Sequence, residues 1–428
     1  MTSATGAPLS PASSAGRGAT AGGVIVTLAT FASHLLGYLL NLLAARWLGP
    51  AGYGAVAALL GLLIVGTVPA MGLQAVGALQ VARAKSPAAR AAVERRLLHS
   101  GLTVGAAVSA LAAIAAVPLA TFLHLSSPIA VAYMAAALMP LTLVGVCQGV
   151  LQGEERFPAL ASLFVVAGIG KVGGGLAGII VRPSPAGLLL GAATGSALAA
   201  AYGWWLAVRR RPSRAGEGVW HDLVHSTHAL LAIFLLANLD VVLARHYLPA
   251  AAAGLYAVGA VIAKGAFWLP QAVSIVAFPR LADPDRRAAA LPAAIGLVAG
   301  AGAVTVVGAA LLGRLAVQLV GGAAYLELAN RAWLFALLGS LLALAQLLLF
   351  SRLALADRRF GVALWLAVAS ELALVAFWLH DSPTHIVLAA VTVATGLVTV
   401  GLVVEVREIR ARFRPFLGLS SGKAQDRG

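Results

Sequence analysis

The feature that most constrains this chain is a repeated pattern: stretches of about 20 apolar residues, separated by short joints of Pro, Gly and charge. Twenty apolar residues are about the length at which a helix crosses the roughly 30 Å hydrocarbon core of a bilayer. A helix also satisfies its own backbone groups there, where no water is available to do so. Twelve such spans can be read, at approximately 23–46, 53–81, 98–122, 128–151, 157–181, 185–208, 223–246, 251–278, 291–313, 326–351, 360–380 and 384–406. The expectation is an all-α polytopic membrane protein of about 12 transmembrane helices. Composition excludes the soluble alternative, because 61% of the 428 residues are hydrophobic and 11% are charged, whereas soluble domains carry about 25% charged residues.

The net charge of +15 would suggest nucleic acid if the basic residues shared a surface. They lie instead in the joints, where they act as topology and headgroup charges. The joints after even-numbered spans hold Arg83, Lys85, Arg90, Arg95 and Arg96, then Arg156, then Arg209, Arg210, Arg211 and Arg214, then Arg280, Arg286 and Arg287, then Arg352, Arg358 and Arg359. The opposite joints hold only Arg46, Arg182, Arg245 and Arg314, with Arg331 just inside a span. The positive-inside rule then places both termini in the cytoplasm of a bacterial cell (inner) membrane protein. Residues 1–22, rich in Ser, Ala, Gly and Pro, read as a disordered cytoplasmic tail without the pattern of a removable signal peptide. The single cysteine, Cys147, excludes an internal disulfide and a Cys-based metal site.

The two halves repeat. Span 1 ends Ala45-Arg46-Trp47-Leu48-Gly49-Pro50, followed by Gly52-Tyr53-Gly54; span 7 ends Ala244-Arg245-His246-Tyr247-Leu248-Pro249, followed by Gly254-Leu255-Tyr256. Pro69 near Gln74 in span 2 is matched by Pro270 beside Gln271 in span 8. The expected organisation is a six-helix bundle at 23–208, a basic linker at 209–222, a second six-helix bundle at 223–407 and a basic tail at 408–428. Paired halves around a midplane site are a transporter architecture. Gly187, Gly191 and Gly195 lie on one face of span 6 and permit close helix approach. Pro69, Pro118, Pro140 and Pro270 lie within spans, where they can kink helices that line a cavity.

Several motifs carry no chemistry here. Gly168-Ile169-Gly170-Lys171-Val172-Gly173 fits GxGxxG but sits inside an apolar span with no preceding strand, and no Walker sequence occurs elsewhere. Asp283-Pro284-Asp285 resembles the metal-binding pair of glycosyltransferases but lies in a short joint, where a turn or helix cap is the better reading. His221, His225 and His228 share a helical face at the cytoplasmic interface, where amphipathic residues are ordinary. No cofactor or metal is expected, and no enzyme activity.

Ionisable residues deep in spans are the stronger signal. Each costs about 2.5–3.5 kcal/mol at mid-bilayer on insertion scales, so it normally faces a polar cavity or a partner. Lys171, Lys264 and Glu371 lie near the centres of spans 5, 8 and 11, and Asp240 lies in the outer half of span 7 beside Asn238. In the functional reading, Lys171 and Lys264 attract an anionic substrate, His34, Asn41 and Asn238 line the cavity, and Asp240 or Glu371 takes part in ion coupling. In the alternative, these groups pair with one another across helix contacts.

The segments Ser33-His34-Leu35-Leu36-Gly37-Tyr38 and Ala45–Gly54 resemble the start of polysaccharide-export flippases of the multidrug/oligosaccharidyl-lipid/polysaccharide (MOP) superfamily. Asn238-Leu239-Asp240, Gly254-Leu255-Tyr256, Leu269-Pro270-Gln271-Ala272 and Phe278-Pro279-Arg280-Leu281 extend the resemblance into the second half. It implies two six-helix bundles around a central cavity, forming a V. It also implies alternating access and a polyprenyl-diphosphate-linked oligosaccharide as substrate, with membrane lipids and polysaccharide assembly machinery as partners. His34 departs from the family's usual Arg, which makes the charge of span 1 depend on pH. Twelve spans argue against the lipid II flippase branch, which usually has fourteen. The rival readings are a multidrug or metabolite cation antiporter of the same superfamily, whose substrates would prefer acids in the cavity, and a membrane glycan polymerase or ligase, which would carry a large outer loop.

Overall fold

A computed structural model describes residues 12–208, 220–268, 284–353 and 359–413. Among these residues the structure is helical apart from short turns and joints, with no strand. The helices are α1 (Ala12–Gly66), α2 (Val68–Arg83), α3 (Pro87–Ile114), α4 (Ala116–Phe122), α5 (Ile129–Gly153), α6 (Phe157–Val181), α7 (Pro185–Ala207) and α8 (Trp220–Tyr247). They continue as α9 (Ala250–Trp268), α10 (Pro284–Leu311), α11 (Gly313–Val320), a 3-10 segment (Ala323–Arg331), α12 (Ala332–Leu353), α13 (Arg359–Phe377) and α14 (Pro383–Phe413). Among the described residues, eleven stretches are long and apolar enough to cross a membrane. The first, Gly22–Arg83, is 62 residues long, about 93 Å if straight, and holds two crossings. It bends at Gly49 (φ 64°, ψ 178°), a conformation costly for any residue with a Cβ, followed by Pro50. The twelve expected spans are all represented. Many large side chains point outward, including Val181 (85% exposed) and Ile114 (80%), as helices in contact with lipid require.

Span ends are set by local chemistry. Ser86-Pro87, Ser184-Pro185 and Ser382-Pro383 each place a serine before a proline at the first helical turn. The serine hydroxyls accept from the amides of Ala89 (3.1 Å), Gly187 (3.1 Å) and His385 (3.2 Å). Of the prolines expected to kink spans, Pro69 follows a break at Thr67, Pro118 follows a break at Ala115, and Pro140 remains inside continuous α5. Pro270, Gln271, Asp283, the basic joints 209–214 and 280, and residues 1–11 and 414–428 of the two tails lie outside the described residues; residues 12–22 of the tail expected to be disordered form the first turns of α1, and residues 408–413 of the basic tail end α14. The side chains of His221, His225, Asp285, Arg286 and Arg287 are likewise outside the described residues.

The chain divides into two compact units. The first comprises residues up to Leu48 and Leu62–Thr227; the second comprises Gly49–Gly61 and the residues from His228 onward. In the first, α5 is the centre, touching α2, α3 and α7, and α6 packs on α7. In the second, α12 takes that place, touching α9, α10 and α14, with α13 on α14. The correspondence extends to breaks and contacts: α3/α4 and α10/α11 interrupt alike, and Gly105 packs on Thr142 as Gly302 packs on Ser340, each pair repeating roughly 200 residues later. Glycine permits the closest approaches. A Cβ on Gly170, Gly174 or Gly178 of α6 would collide with the carbonyls of Gly195, Gly191 and Gly187 on α7, so these helices meet backbone to backbone.

Candidate functional site

The seven residues singled out in the sequence fall into two groups, one in each unit. In the first unit, α6 lies along α1. Gly168 meets Ser33 and Leu36, and Gly175 meets Leu40. Lys171 is three residues from the first glycine and four from the second, which on a helix is the same face. Lys171 is half-buried and within electrostatic reach of His34, which is exposed on the face of its unit. Among the described residues, the Lys171 ammonium has no carboxylate within ion-pair distance. One and two turns beyond His34 on α1 come Tyr38 and Asn41. Asn41 Nδ2 donates to the Gly37 carbonyl (2.9 Å), and the Tyr38 hydroxyl is buried without a hydrogen-bond partner. The i, i+4, i+7 spacing makes His34, Tyr38 and Asn41 one polar stripe. Tyr38 was not singled out in the sequence as a site residue, although its spacing from His34 and Asn41 was the signal that could have placed it in this stripe.

The second unit gathers the acids. Asp240 on α8 is buried, and each carboxylate oxygen has a donor: Oδ2 accepts from the Tyr256 hydroxyl of α9 (2.8 Å) and Oδ1 from the Val241 amide (2.8 Å). Tyr256 is fully buried and stacks edge-on against Phe335 of α12, with ring centroids 5.1 Å apart. Lys264, two turns further along α9, and Glu371 on α13 both act electrostatically on Asp240. Glu371 is 1% exposed, and its Oε1 is buried without a hydrogen-bond partner. Asn238 is buried, donates from Nδ2 to the Phe234 carbonyl (2.8 Å), and turns an unpartnered Oδ1 towards Gly61. The sequence did not single out Tyr256 as a partner of Asp240. It comes from another helix, and the motif Gly254-Leu255-Tyr256 gave no reason to aim its hydroxyl at α8. No group of three His, Cys, Asp or Glu that could hold a metal forms among the described residues.

The repeat relates the two groups. Asn41 precedes Arg46 by the same interval as Asp240 precedes Arg245, and Lys171 and Glu371 lie roughly 200 residues apart on the matching helices α6 and α13. Equivalent positions therefore carry an amide and a cation in the first unit and two acids in the second. Lys264 stands with the acids, so Lys171 and Lys264 occupy different electrostatic settings.

A family model described as "Polysaccharide biosynthesis protein" matches residues 19–283. The chain belongs to that family. A search of curated proteins by sequence returned no match. The fold is that of the MOP superfamily. An inward-facing multidrug resistance MATE family transporter of that superfamily superposes with a TM-score of 0.75 at 13% identity, over 89% of this chain and 95% of its own. The lipid II flippase MurJ, in an inward closed conformation, superposes at 0.72 with 14% identity, over 90% of this chain and 87% of its own. A MOP superfamily transporter from Pyrococcus furiosus gives 0.59 at 13%, over 91% and 95%. This member of the polysaccharide biosynthesis family is thus a multi-pass membrane protein with a transporter fold.

Proposed function

We propose that this protein moves a polyprenyl-diphosphate-linked oligosaccharide from the cytoplasmic to the outer leaflet by alternating access. The observation that carries the reading is Lys171: a cation inside an apolar helix, beside the polar stripe of His34, Tyr38 and Asn41, with no acid to neutralise it among the described residues. A mid-membrane charge of that kind is costly unless an anion or water meets it, and a diphosphate is such an anion. Membership of a polysaccharide biosynthesis family supports the glycan, and the MOP fold supports transport. The diphosphate carries about two negative charges. With the cell interior negative, its outward movement gains roughly 4–5 kcal/mol per 100 mV.

Asp240 and Glu371 supply the ion-coupling site in this account, for a proton or sodium. They are the one observation that favours the rival cation antiporter, whose substrate would itself be drawn to them. The basic joints orient both termini to the cytoplasm of the inner membrane, and the two units act as the moving halves. The test is a deletion strain. Lipid-linked oligosaccharide accumulates on the cytoplasmic side, surface glycan falls, and the wild-type gene restores both while Lys171→Glu does not. Unchanged glycan with altered sensitivity to small cationic toxins would transfer the reading to the antiporter.

A further inference from the structure

The first unit contains a cavity of about 380 Å³ at the end of α6 and α7 away from Arg156, lined among others by Tyr133, Gly174, Ala177, Arg182, Leu190 and Thr194. Its volume is in the range of small-ligand sites. The glycine seam explains why it exists: α6 and α7 touch through backbone, and the missing side chains leave a trough beside the contact. Its lining is mostly apolar, with two polar groups at one end. Arg182, exposed in the turn between α6 and α7, has no hydrogen-bond or ion-pair partner for its guanidinium among the described residues, and the Tyr133 hydroxyl on α5 likewise has none. The turn that carries Arg182 is fixed, because Ser184 caps α7 and also donates to the Arg182 carbonyl (3.4 Å). Arg and Tyr at a helix end belong at headgroup level. From there the helix rise places Thr194 about 13 Å below Pro185, close to the roughly 15 Å of hydrocarbon in one leaflet.

We propose that this cavity binds one anionic glycerophospholipid, with its phosphate on Arg182 and Tyr133 and one acyl chain in the trough towards Thr194. A single unpartnered cation at the mouth matches a single phosphodiester, and an apolar trough one leaflet deep matches a single chain. The cavity lies where α6 and α7 meet the Arg182 turn, Lys171 is not among its lining residues, and the proposal does not depend on the transport reading.

The test is native mass spectrometry of the full chain in detergent, titrated with phosphatidylglycerol and, separately, phosphatidylcholine. The wild type is expected to prefer phosphatidylglycerol by about fivefold, the order that one interfacial cation contributes. Arg182→Gln removes that preference, while Arg314→Gln, which removes the same charge outside the cavity, keeps it. Ala177→Trp, an exposed position on the cavity wall, fills the trough and lowers binding of both lipids. Equal binding of the two lipids by the wild type, an undiminished preference in Arg182→Gln, or displacement of phosphatidylglycerol by an equimolar polyprenyl phosphate would overturn the proposal.

Discussion

Lys171 and Glu371 sit on corresponding helices of a repeated design and carry opposite charge. For Lys171 the account requires a positive charge more than a particular shape. Lys171→Arg is therefore expected to retain most export, and Lys171→Glu to lower surface glycan at least about tenfold with normal membrane insertion. Such a loss corresponds to roughly 1.4 kcal/mol or more of lost interaction. Quantifying surface glycan beside immunoblots of the membrane fraction checks both statements. Tyr256 makes a different kind of contribution. Its hydroxyl donates to a buried carboxylate at 2.8 Å, and hydrogen bonds to charged groups are worth about 1.5–3 kcal/mol. Tyr256→Phe keeps the ring against Phe335 but removes that donor, and thermal unfolding in detergent is expected to show a loss of that order. At this scale the sequence identified the intramembrane charges, because each is conspicuous in an apolar run. It did not divide Lys171 from Lys264, since helix position says how deep a charge lies but not which neighbour meets it.

Among elements, the α6–α7 seam and the α12–α14 clasp are the most exacting contacts. Gly174 and Gly191 occupy each other's Cβ space, whereas a Cβ on Gly173, one residue away, meets nothing within 4 Å. Gly174→Val is expected to destabilise the protein by about 1–3 kcal/mol or more through overpacking. Gly173→Ala is expected to be neutral or stabilising, since alanine favours the helix. Thermal midpoints of the two variants in the same detergent make the comparison. At the end of α12, Arg352 Nε pairs with Glu405 Oε1 of α14 (3.1 Å), which also accepts from the Ser351 hydroxyl (2.9 Å), and both charges are almost fully buried. Removing one partner of a buried pair costs about 3–5 kcal/mol, so Glu405→Ala is expected to lower the yield of folded protein sharply in a detergent size-exclusion assay. Spans were legible because length and the proline, glycine and charge of the joints encode them directly; the serine caps before Pro87, Pro185 and Pro383 were not singled out, although each is a Ser-Pro pair in the sequence. The packing faces were less so. In lipid both sides of a helix are apolar, and hydrophobic periodicity no longer marks the buried face. Only glycine spacing, as at Gly187, Gly191 and Gly195, pointed to a contact.

For the molecule as a whole, the internal repeat was visible in two short motifs and recurs in helix order, helix breaks and neighbours across the two units. The sequence expected the first bundle to run unbroken over 23–208. Gly49–Gly61 instead groups with the second unit, leaving the first at the Gly49 bend. Nothing in an apolar helix announces that change of company, because the contacts that decide it, such as Gly54 against Gly254, join residues some 200 apart. The orientation read from the basic joints has a simple test. With Cys147 replaced by Ala, a cysteine at Arg182 is expected to react with an impermeant maleimide in whole cells, and one at Arg210 only after permeabilisation.

The central claim, that a cation in the first unit serves an anionic lipid-linked saccharide, is met most directly in proteoliposomes. The purified protein would be reconstituted with a fluorescent polyprenyl-diphosphate-linked saccharide, and translocation followed by quencher protection under an imposed membrane potential. The account predicts protein-dependent translocation that is faster when the destination side is positive and is lost in Lys171→Glu. Translocation by Lys171→Glu at the wild-type rate would contradict it.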